Sequence, residues 1–135
     1  MGYLIGTDVG TSGTKTLICD ETGQVLASST VEYPCYTPRP LWSEQDPADW
    51  WRAVVESVRK VVEAASVKPR EVSGVGLSGQ MHGLVITDGA GKPLRPSIIW
   101  NDQRTGPQAR QTDWMVLGSH AERRHATSAA STRAS

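Results

Sequence analysis

The chain has 135 residues, of which 38% are hydrophobic and 21% charged, and its 14 basic residues balance 14 acidic ones. This length suits one domain with a hydrophobic core, and the balanced charge gives no electrostatic basis for binding nucleic acid or an anionic membrane. The first residues include neither a basic segment followed by an apolar one nor a long apolar run. The sequence therefore predicts no signal peptide and no membrane span and favours a cytoplasmic protein, with Cys19 and Cys35 as free thiols.

Three short strands are predicted at the start of the chain, at residues 3–9, 14–19 and 24–32. A glycine-rich turn separates the first two and the turn at 20–23 separates the second pair. Links this short can only join antiparallel neighbours. The next segment, 34–47, carries four prolines and is predicted to be a covering loop rather than a helix or a central strand.

A helix is predicted to begin after Asp46, whose side chain can cap it, because Pro47 tolerates the first helical position. Apolar residues then recur at helical spacing and predict a face that packs on a sheet. These residues are Trp51, Val54, Val55, Val58, Val61, Val62 and Ala65. Because Trp51 falls on this face, it is predicted to belong to the core and not to a ligand site.

Three more strands are predicted at residues 71–78, 83–87 and 94–100. The order of strands, helix and further strands indicates an α/β architecture with a mixed sheet. Residues 112–135 are rich in Ala, Ser, Thr and Arg without periodicity, so they are predicted to form a disordered tail after a folded part at 1–111.

The stretch IGTDVGTSGTK, residues 5–15, concentrates glycines, hydroxyls, an acid and a lysine. It is not a P-loop, because Thr14 separates Gly13 from Lys15, and its glycines have the wrong spacing for a dinucleotide fingerprint. A turn at residues 10–13 that joins two strands remains.

Two interpretations of this turn are open from the residues alone. In the first, backbone N–H groups and hydroxyls surround a phosphate, Asp8 holds a hydrated Mg²⁺ and Lys15 adds a positive charge. In the second, the turn is only a β-hairpin turn, in which glycine allows positive φ and Thr or Ser makes local hydrogen bonds.

Three sequence blocks, in this order, resemble those of a known family: GTDVGTSGTKTLICDETGQVLA, PLWSEQDPADWW and VGLSGQMHGLVITDGAGKPLRPSIIWNDQR. From Tyr3 to about Gln111 the chain is similar to the amino-terminal part of the FGGY family of carbohydrate kinases, and its Gly-Gln-Met-His-Gly block has the form typical of the xylulose kinases of that family. The resemblance implies the ribonuclease-H-like, actin-like ATPase fold, an α/β architecture with a mixed sheet and helices, here as an incomplete first domain.

The resemblance also implies ATP and Mg²⁺ as cofactors and a ketopentose as substrate, D-xylulose being converted to D-xylulose 5-phosphate. Asp8 matches the acid associated with Mg²⁺ and the phosphates. The phosphate hairpin would comprise Thr11, Ser12, Gly13 and Lys15. Met81 and His82 match the sugar-contacting pair, although the residues alone favour a loop with a half-buried His bonded to backbone. The segment 100–102 either lines the sugar cleft or ends a strand and caps a helix.

The family's catalytic base is an Asp that lies further along the chain than residue 135. The resemblance therefore implies that this chain is inactive alone, with an exposed sheet edge and an uncovered apolar face. Residues 112–135 diverge from the family pattern, and two explanations stay open: their composition resembles the product of a reading-frame shift, and the alternative is a natural truncation. The partners implied are ATP and a sugar, without nucleic acid or membrane, and the full-length relative would form a homodimer. Two alternatives stay open: a non-catalytic sugar-binding, nucleotide-binding or regulatory module, and a kinase for another sugar of the same family.

Overall fold

The apolar alternation at the start of the chain forms the predicted sheet. A computed structural model describes residues 2–111. Its elements are β1 (Tyr3–Val9), β2 (Gly13–Asp20), β3 (Val25–Glu32), β4 (Glu44–Gln45), α1 (Pro47–Ala64), a 3₁₀ turn (Pro69–Glu71), β5 (Val72–Gly79) and β6 (Ser97–Ile98). The chain divides into two units after Asp102. In the second unit residues 106–111 are helical, and the predicted tail at 112–135 lies outside the described residues.

The main sheet has four strands in the order β3-β2-β1-β5. The first three are antiparallel neighbours, as their short links require, whereas β5 returns through α1 and pairs with β1 in parallel. The predicted mixed sheet is therefore confirmed. In this register Asp8 lies opposite Lys15 on one side and Ser78 on the other, so three polar residues meet on one face of the sheet.

The strands predicted at 83–87 and 94–100 are wrong in extent. The structure has only isolated bridges there, Leu84 with Ile98 and Thr87 with Pro93, and the two-residue β6. Strand β6 pairs with β4, which lies inside the segment predicted to be a loop. Prolines at 93 and 96 lack the N–H group that a longer ladder would need, so pairing stops after a few residues.

Helix α1 begins as predicted, with the Asp46 side chain accepting a hydrogen bond of 2.9 Å from the N–H of Ala48. It ends without glycine, because Ser66 adopts the left-handed conformation at φ 53°. The Ser66 N–H then bonds to the carbonyl of Glu63 at 3.0 Å. This closes the last turn in the way a C-terminal glycine usually does.

The prediction that Trp51 belongs to the core is wrong, because its side chain is 71% exposed. The buried stripe of α1 consists of Ala53, Ser57 and Val61, and the half-buried Trp50 packs beside Ala53. Small residues let the helix approach the sheet closely, where the Ser57 hydroxyl meets that of Thr16 at 2.7 Å. Hydrophobic spacing alone missed this stripe, because two of its three members are small or polar.

The face of β5 that continues the α1 side of the sheet is uncovered by the described residues. Val75 is 62% exposed and Leu77 72%, although each pairs with a buried residue of β1. Strand β5 is also an outer strand of the sheet. The predicted exposed edge and uncovered apolar face are therefore present in the described part of the chain.

Two smaller predictions concern thiols and membranes. Cys19 and Cys35 are both free, as predicted. Between residues 2 and 111 the structure has no helix with the length and apolar character needed to cross a membrane.

Candidate functional site

The turn at residues 10–13 joins β1 to β2, and its shape depends on Gly13. A Cβ atom at Gly13 would lie 2.7 Å from the carbonyl oxygen of Val31 on β3, closer than real Cβ contacts. Within the turn, the N–H of Gly10 donates to the carbonyl of Gly13 at 3.0 Å. Glycine at position 13 is therefore required by the close approach of β3.

Donors from the domain hold this turn by its carbonyl groups. The Tyr33 hydroxyl donates to the Gly10 carbonyl at 2.5 Å, the Gln45 amide to the Thr11 carbonyl at 2.7 Å, and the Tyr33 N–H to the Ser12 carbonyl at 3.4 Å. The N–H groups of Thr11 and Ser12, by contrast, have no acceptor among residues 2–111. A turn fixed from its carbonyl side keeps its N–H groups available for an anion.

Burial keeps the hydroxyl of Tyr33 in its donor form. The side chain is 7% exposed, and burial raises the pKa of Tyr33, to which the negative charge of Asp8 adds. Because the ordinary value is already 10.0, the phenol stays protonated at neutral pH. Its bond to the Gly10 carbonyl is therefore present throughout the physiological range.

Asp8 lies near the end of β1 with an exposed carboxylate. One oxygen, Oδ1, accepts a hydrogen bond of 2.7 Å from the Ser78 hydroxyl. Lys15, opposite Asp8 in the sheet, is exposed, and its ammonium makes no ion pair within the described residues. The same residues contain no cluster of three metal-ligating side chains. A single carboxylate fits Mg²⁺, which keeps water and phosphate oxygens as its other ligands.

An open cleft of about 410 Å³ lies between the turn and the start of the 80–82 loop. Its lining residues are Asp8, Gly10, Thr11, Gly79, Gln80, Met81, His82 and Trp100. Of the predicted site residues, the structure thus brings four together here. Lys15 lines a neighbouring depression of about 340 Å³ that also includes Asp8, and Ser12 lines another of about 710 Å³. Gly13 lines none of these three and supports the turn.

Met81 and His82 project from the domain. Met81 is 71% exposed, and His82 is exposed as well, with no hydrogen bond from its ring to the rest of residues 2–111. The alternative of a half-buried His bonded to backbone is therefore wrong. His82 also has φ 61°, a left-handed conformation that costs a non-glycine residue about 1 kcal/mol or more and is concentrated at functional sites.

Sequence reasoning missed two glutamines that connect the parts of the cleft. Gln80 Oε1 accepts from the Thr11 hydroxyl at 3.3 Å, and Gln80 Nε2 donates to Gln45 Oε1 at 2.8 Å. Trp100, for which two roles were open, lines the cleft and donates from Nε1 to the Thr11 hydroxyl at 2.9 Å. Gln45 lies just before the helix cap in the segment predicted to be a covering loop, and no local pattern marks a buried glutamine as important.

Comparison with known proteins agrees with the resemblance found in the sequence. The model of the FGGY family of carbohydrate kinases, N-terminal domain, matches residues 3–128. The xylulose kinase of Bacillus subtilis is 41% identical over 108 residues, which is 80% of this chain and 22% of that protein. The chain thus spans about a fifth of the length of the curated relatives it matches.

Solved structures give the same assignment of the fold. A xyloylose (xylulose) kinase from Brucella ovis is 38% identical with a TM-score of 0.77, over 85% of this chain and 24% of that one. A gluconate kinase from Lactobacillus acidophilus is 26% identical with a TM-score of 0.80, over 90% and 24%. The predicted fold, an α/β mixed sheet of the actin-like ATPase class present here as a partial domain, is confirmed. With the family model matching almost the whole chain, this protein belongs to the FGGY family of carbohydrate kinases, in the part that forms their N-terminal domain.

Proposed function

We propose that this chain forms the phosphate-binding hairpin and one side of the sugar site of an ATP-dependent ketopentose kinase that converts D-xylulose to D-xylulose 5-phosphate. The observation that carries the proposal is the single cleft in which Asp8 and Thr11 face Met81 and His82. The xylulose kinases among its relatives support the choice of sugar.

Phosphoryl transfer needs little covalent chemistry from the protein, because most of the catalysis is positioning and the neutralisation of spread negative charge. The free N–H groups of Thr11 and Ser12 would donate to phosphate oxygens, with Gly13 keeping their spacing and Lys15 adding a point charge. Asp8, which Ser78 orients, would hold hydrated Mg²⁺. The ion, when bound, neutralises phosphate charge.

His82 would bond a sugar hydroxyl through its ring nitrogens, which are unused within residues 2–111, while Met81 would pack against the apolar face of the sugar. The carboxylate that takes the proton from the attacking hydroxyl would lie in a part of the relatives that this chain does not span. We therefore propose that Asp8 does not act as the base and that the chain is inactive alone. A cytoplasmic location and a homodimeric full-length protein stay predictions.

The test is an ATP and D-xylulose assay on this chain and on a chain extended through the remaining length of the Bacillus subtilis relative. We expect turnover only in the extended chain, where His82→Ala lowers kcat/KM for D-xylulose by about 100-fold. The matched control is Gln24→Ala, which changes an exposed residue between β2 and β3. Turnover by the short chain would refute the proposed inactivity, and an extended chain inert with every sugar of the family would refute the kinase.

A kinase for another sugar is the second candidate, favoured by the likeness to a gluconate kinase. The discriminating measurement is the ratio of kcat/KM values over a panel of ketoses and sugar acids, since one scaffold can carry several sugar pockets. Saturable sugar or nucleotide binding by a monodisperse short chain, without turnover after extension, would instead identify a non-catalytic binding module.

A further inference from the structure

Gln45 is fully buried, and both ends of its side-chain amide are bonded. Nε2 donates to the Thr11 carbonyl at 2.7 Å and to the Pro34 carbonyl at 3.4 Å. Oε1 accepts from Trp50 Nε1 at 3.1 Å and from Gln80 Nε2 at 2.8 Å. One amide thus connects the turn at 10–13, the residue Pro34, helix α1 and the start of the loop at 80–82.

The partners of Gln45 allow only one orientation of its amide. The Thr11 carbonyl can only accept and the Trp50 indole can only donate, so a flipped amide would place acceptor against acceptor and donor against donor. The donor end therefore always faces the phosphate turn, and the acceptor end always faces Gln80. One side chain of fixed polarity is therefore bonded to both the turn and Gln80.

The acceptor end leads directly to the proposed sugar pair. Gln80 precedes Met81 and His82, and its own N–H is bonded to the Val9 carbonyl at 2.8 Å. The Thr11 hydroxyl completes the set of hydrogen bonds by donating to Gln80 Oε1. Gln45, Thr11 and Gln80 therefore form a closed triangle between the two walls of the cleft.

We propose that Gln45 is a positioning residue, which fixes the distance between the phosphate turn at 10–13 and the loop at 80–82. Binding of a phosphate group at the turn would then change the conformation of the loop. The inference rests on the proposed function for the identity of the two ligands. A kinase needs such a device because a misplacement of about 1 Å between the attacking hydroxyl and the phosphate can cost about 100-fold in rate.

Two substitutions separate the ends of the amide. Gln45→Glu keeps an acceptor for Trp50 and Gln80 but places a second oxygen against the Thr11 carbonyl, whereas Gln45→Met keeps the length and removes both functions. In ¹⁵N-resolved NMR spectra of the 135-residue chain, with the new carboxyl ionised, Gln45→Glu should shift the Thr11 and Ser12 amides, whereas the Trp50 indole N–H keeps an acceptor and stays protected from hydrogen exchange. Gln45→Met should shift the same amides and should also remove the protection of the indole.

A titration with inorganic phosphate then tests the coupling itself. In the unmodified chain the Thr11 and Ser12 amides and the His82 amide should move together. In Gln45→Met the response at His82 should fall by about fivefold or more, the lower end of ordinary coupling between sites. Gln24→Met, at an exposed position, is the control and should keep the joint response. If Gln45→Met does not fold, Gln80→Met breaks the triangle at its half-buried corner and should uncouple the two walls equally.

The outcomes separate this inference from the proposed function. Loss of indole protection in Gln45→Glu to the same extent as in Gln45→Met, or a phosphate response at His82 that survives Gln45→Met and Gln80→Met, would overturn the positioning role. Absence of any phosphate response in the unmodified chain would count against the proposed function, and the shift pattern of the Gln45 variants would still decide whether the amide connects the two walls. In the extended kinase, Gln45→Met should lower kcat by about 100-fold, with a smaller change in either KM.

Discussion

The two walls of the cleft are held in opposite ways. The turn at 10–13 is fixed from beneath by Tyr33 and Gln45, both buried, which bond its carbonyl groups. The loop at 80–82 exposes Met81, keeps His82 in a left-handed conformation and relies on Gln80 for its connection to the turn. The turn at 10–13 is therefore fixed by buried side chains of the domain, whereas the loop at 80–82 leaves the side chains of Met81 and His82 without hydrogen-bond partners among the described residues and carries local strain.

The largest expected effect on stability comes from a substitution in the turn at 10–13. Gly13→Ala places a methyl group 2.7 Å from the Val31 carbonyl, a backbone atom that cannot move aside cheaply. We expect the free energy of unfolding to fall by about 3 kcal/mol, measured by urea denaturation. The turn should also lose its spacing, which NMR shifts of Thr11 and Ser12 would show.

The matched control, Gly83, directly follows the loop at 80–82. A Cβ atom at Gly83 would meet its nearest neighbour, Ser97 Oγ, at 3.5 Å, an ordinary contact. Gly83→Ala should therefore change stability by less than about 1 kcal/mol. Similar losses in both variants would show that the two walls are equally constrained, contrary to the comparison.

The sheet and the turn could be predicted from the sequence because both depend on local patterns. Alternating apolar residues gave β1, and a run of Gly, Thr and Ser gave the turn at 10–13. The support of the turn could not be predicted in this way, because it comes from Tyr33 and Gln45, which reach it only after β3 and β4 are in place. Contacts across such sequence distances follow from topology and not from spacing.

The helix shows the complementary failure. Its start at Pro47 and its amphipathic character follow from capping and periodicity, yet Trp51 was placed in the core on hydrophobicity alone. The surface that packs on the sheet is chosen by fit, and there the small side chains of Ala53 and Ser57 allow the closest approach. Likewise, the resemblance indicates Met81 and His82 as site residues, but no sequence pattern predicts the left-handed φ of His82.

The second prediction concerns the hydroxyl of Tyr33. Tyr33→Phe leaves the Gly10 carbonyl without its donor, so stability at pH 8 should fall by about 1.5 kcal/mol in urea denaturation. Because burial raises the pKa of Tyr33 in the folded chain, the unfolded chain ionises first as pH rises above 10.0. The wild type therefore loses stability in that alkaline range and the Phe variant does not. The difference between the two should shrink from pH 8 to pH 11, and a constant difference would contradict the burial of the phenol.

The third prediction concerns the left-handed conformation of His82 in the loop at 80–82. His82→Gly should raise the free energy of unfolding by about 1 kcal/mol, because glycine adopts φ 61° without steric cost. Leu41→Gly is the control, since Leu41 has φ 67° outside the cleft and should gain a similar amount. Under the proposed function His82→Gly, unlike Leu41→Gly, should also lower kcat/KM for D-xylulose in the extended kinase by about 100-fold, as His82→Ala does. Gain of stability with loss of activity would identify His82 as part of the site, and retained activity would remove it from the site.

The smallest expected effect on stability belongs to Lys15. The side chain is exposed and makes no ion pair among the described residues, so Lys15→Met should change the free energy of unfolding by less than about 0.5 kcal/mol. Phosphate binding is a separate matter, because a single charge near an exposed anion contributes about 1 kcal/mol and is screened by salt. The variant should therefore bind inorganic phosphate about fivefold more weakly at low salt, and the deficit should fade at high salt.

The control is Lys92→Met, in the turn before Pro93, which should change neither the stability nor the phosphate affinity. A deficit that persists at high salt would mean that Lys15 contributes to the structure of the turn. The view that the turn is held by packing, and that Lys15 adds only a positive charge, would then be wrong.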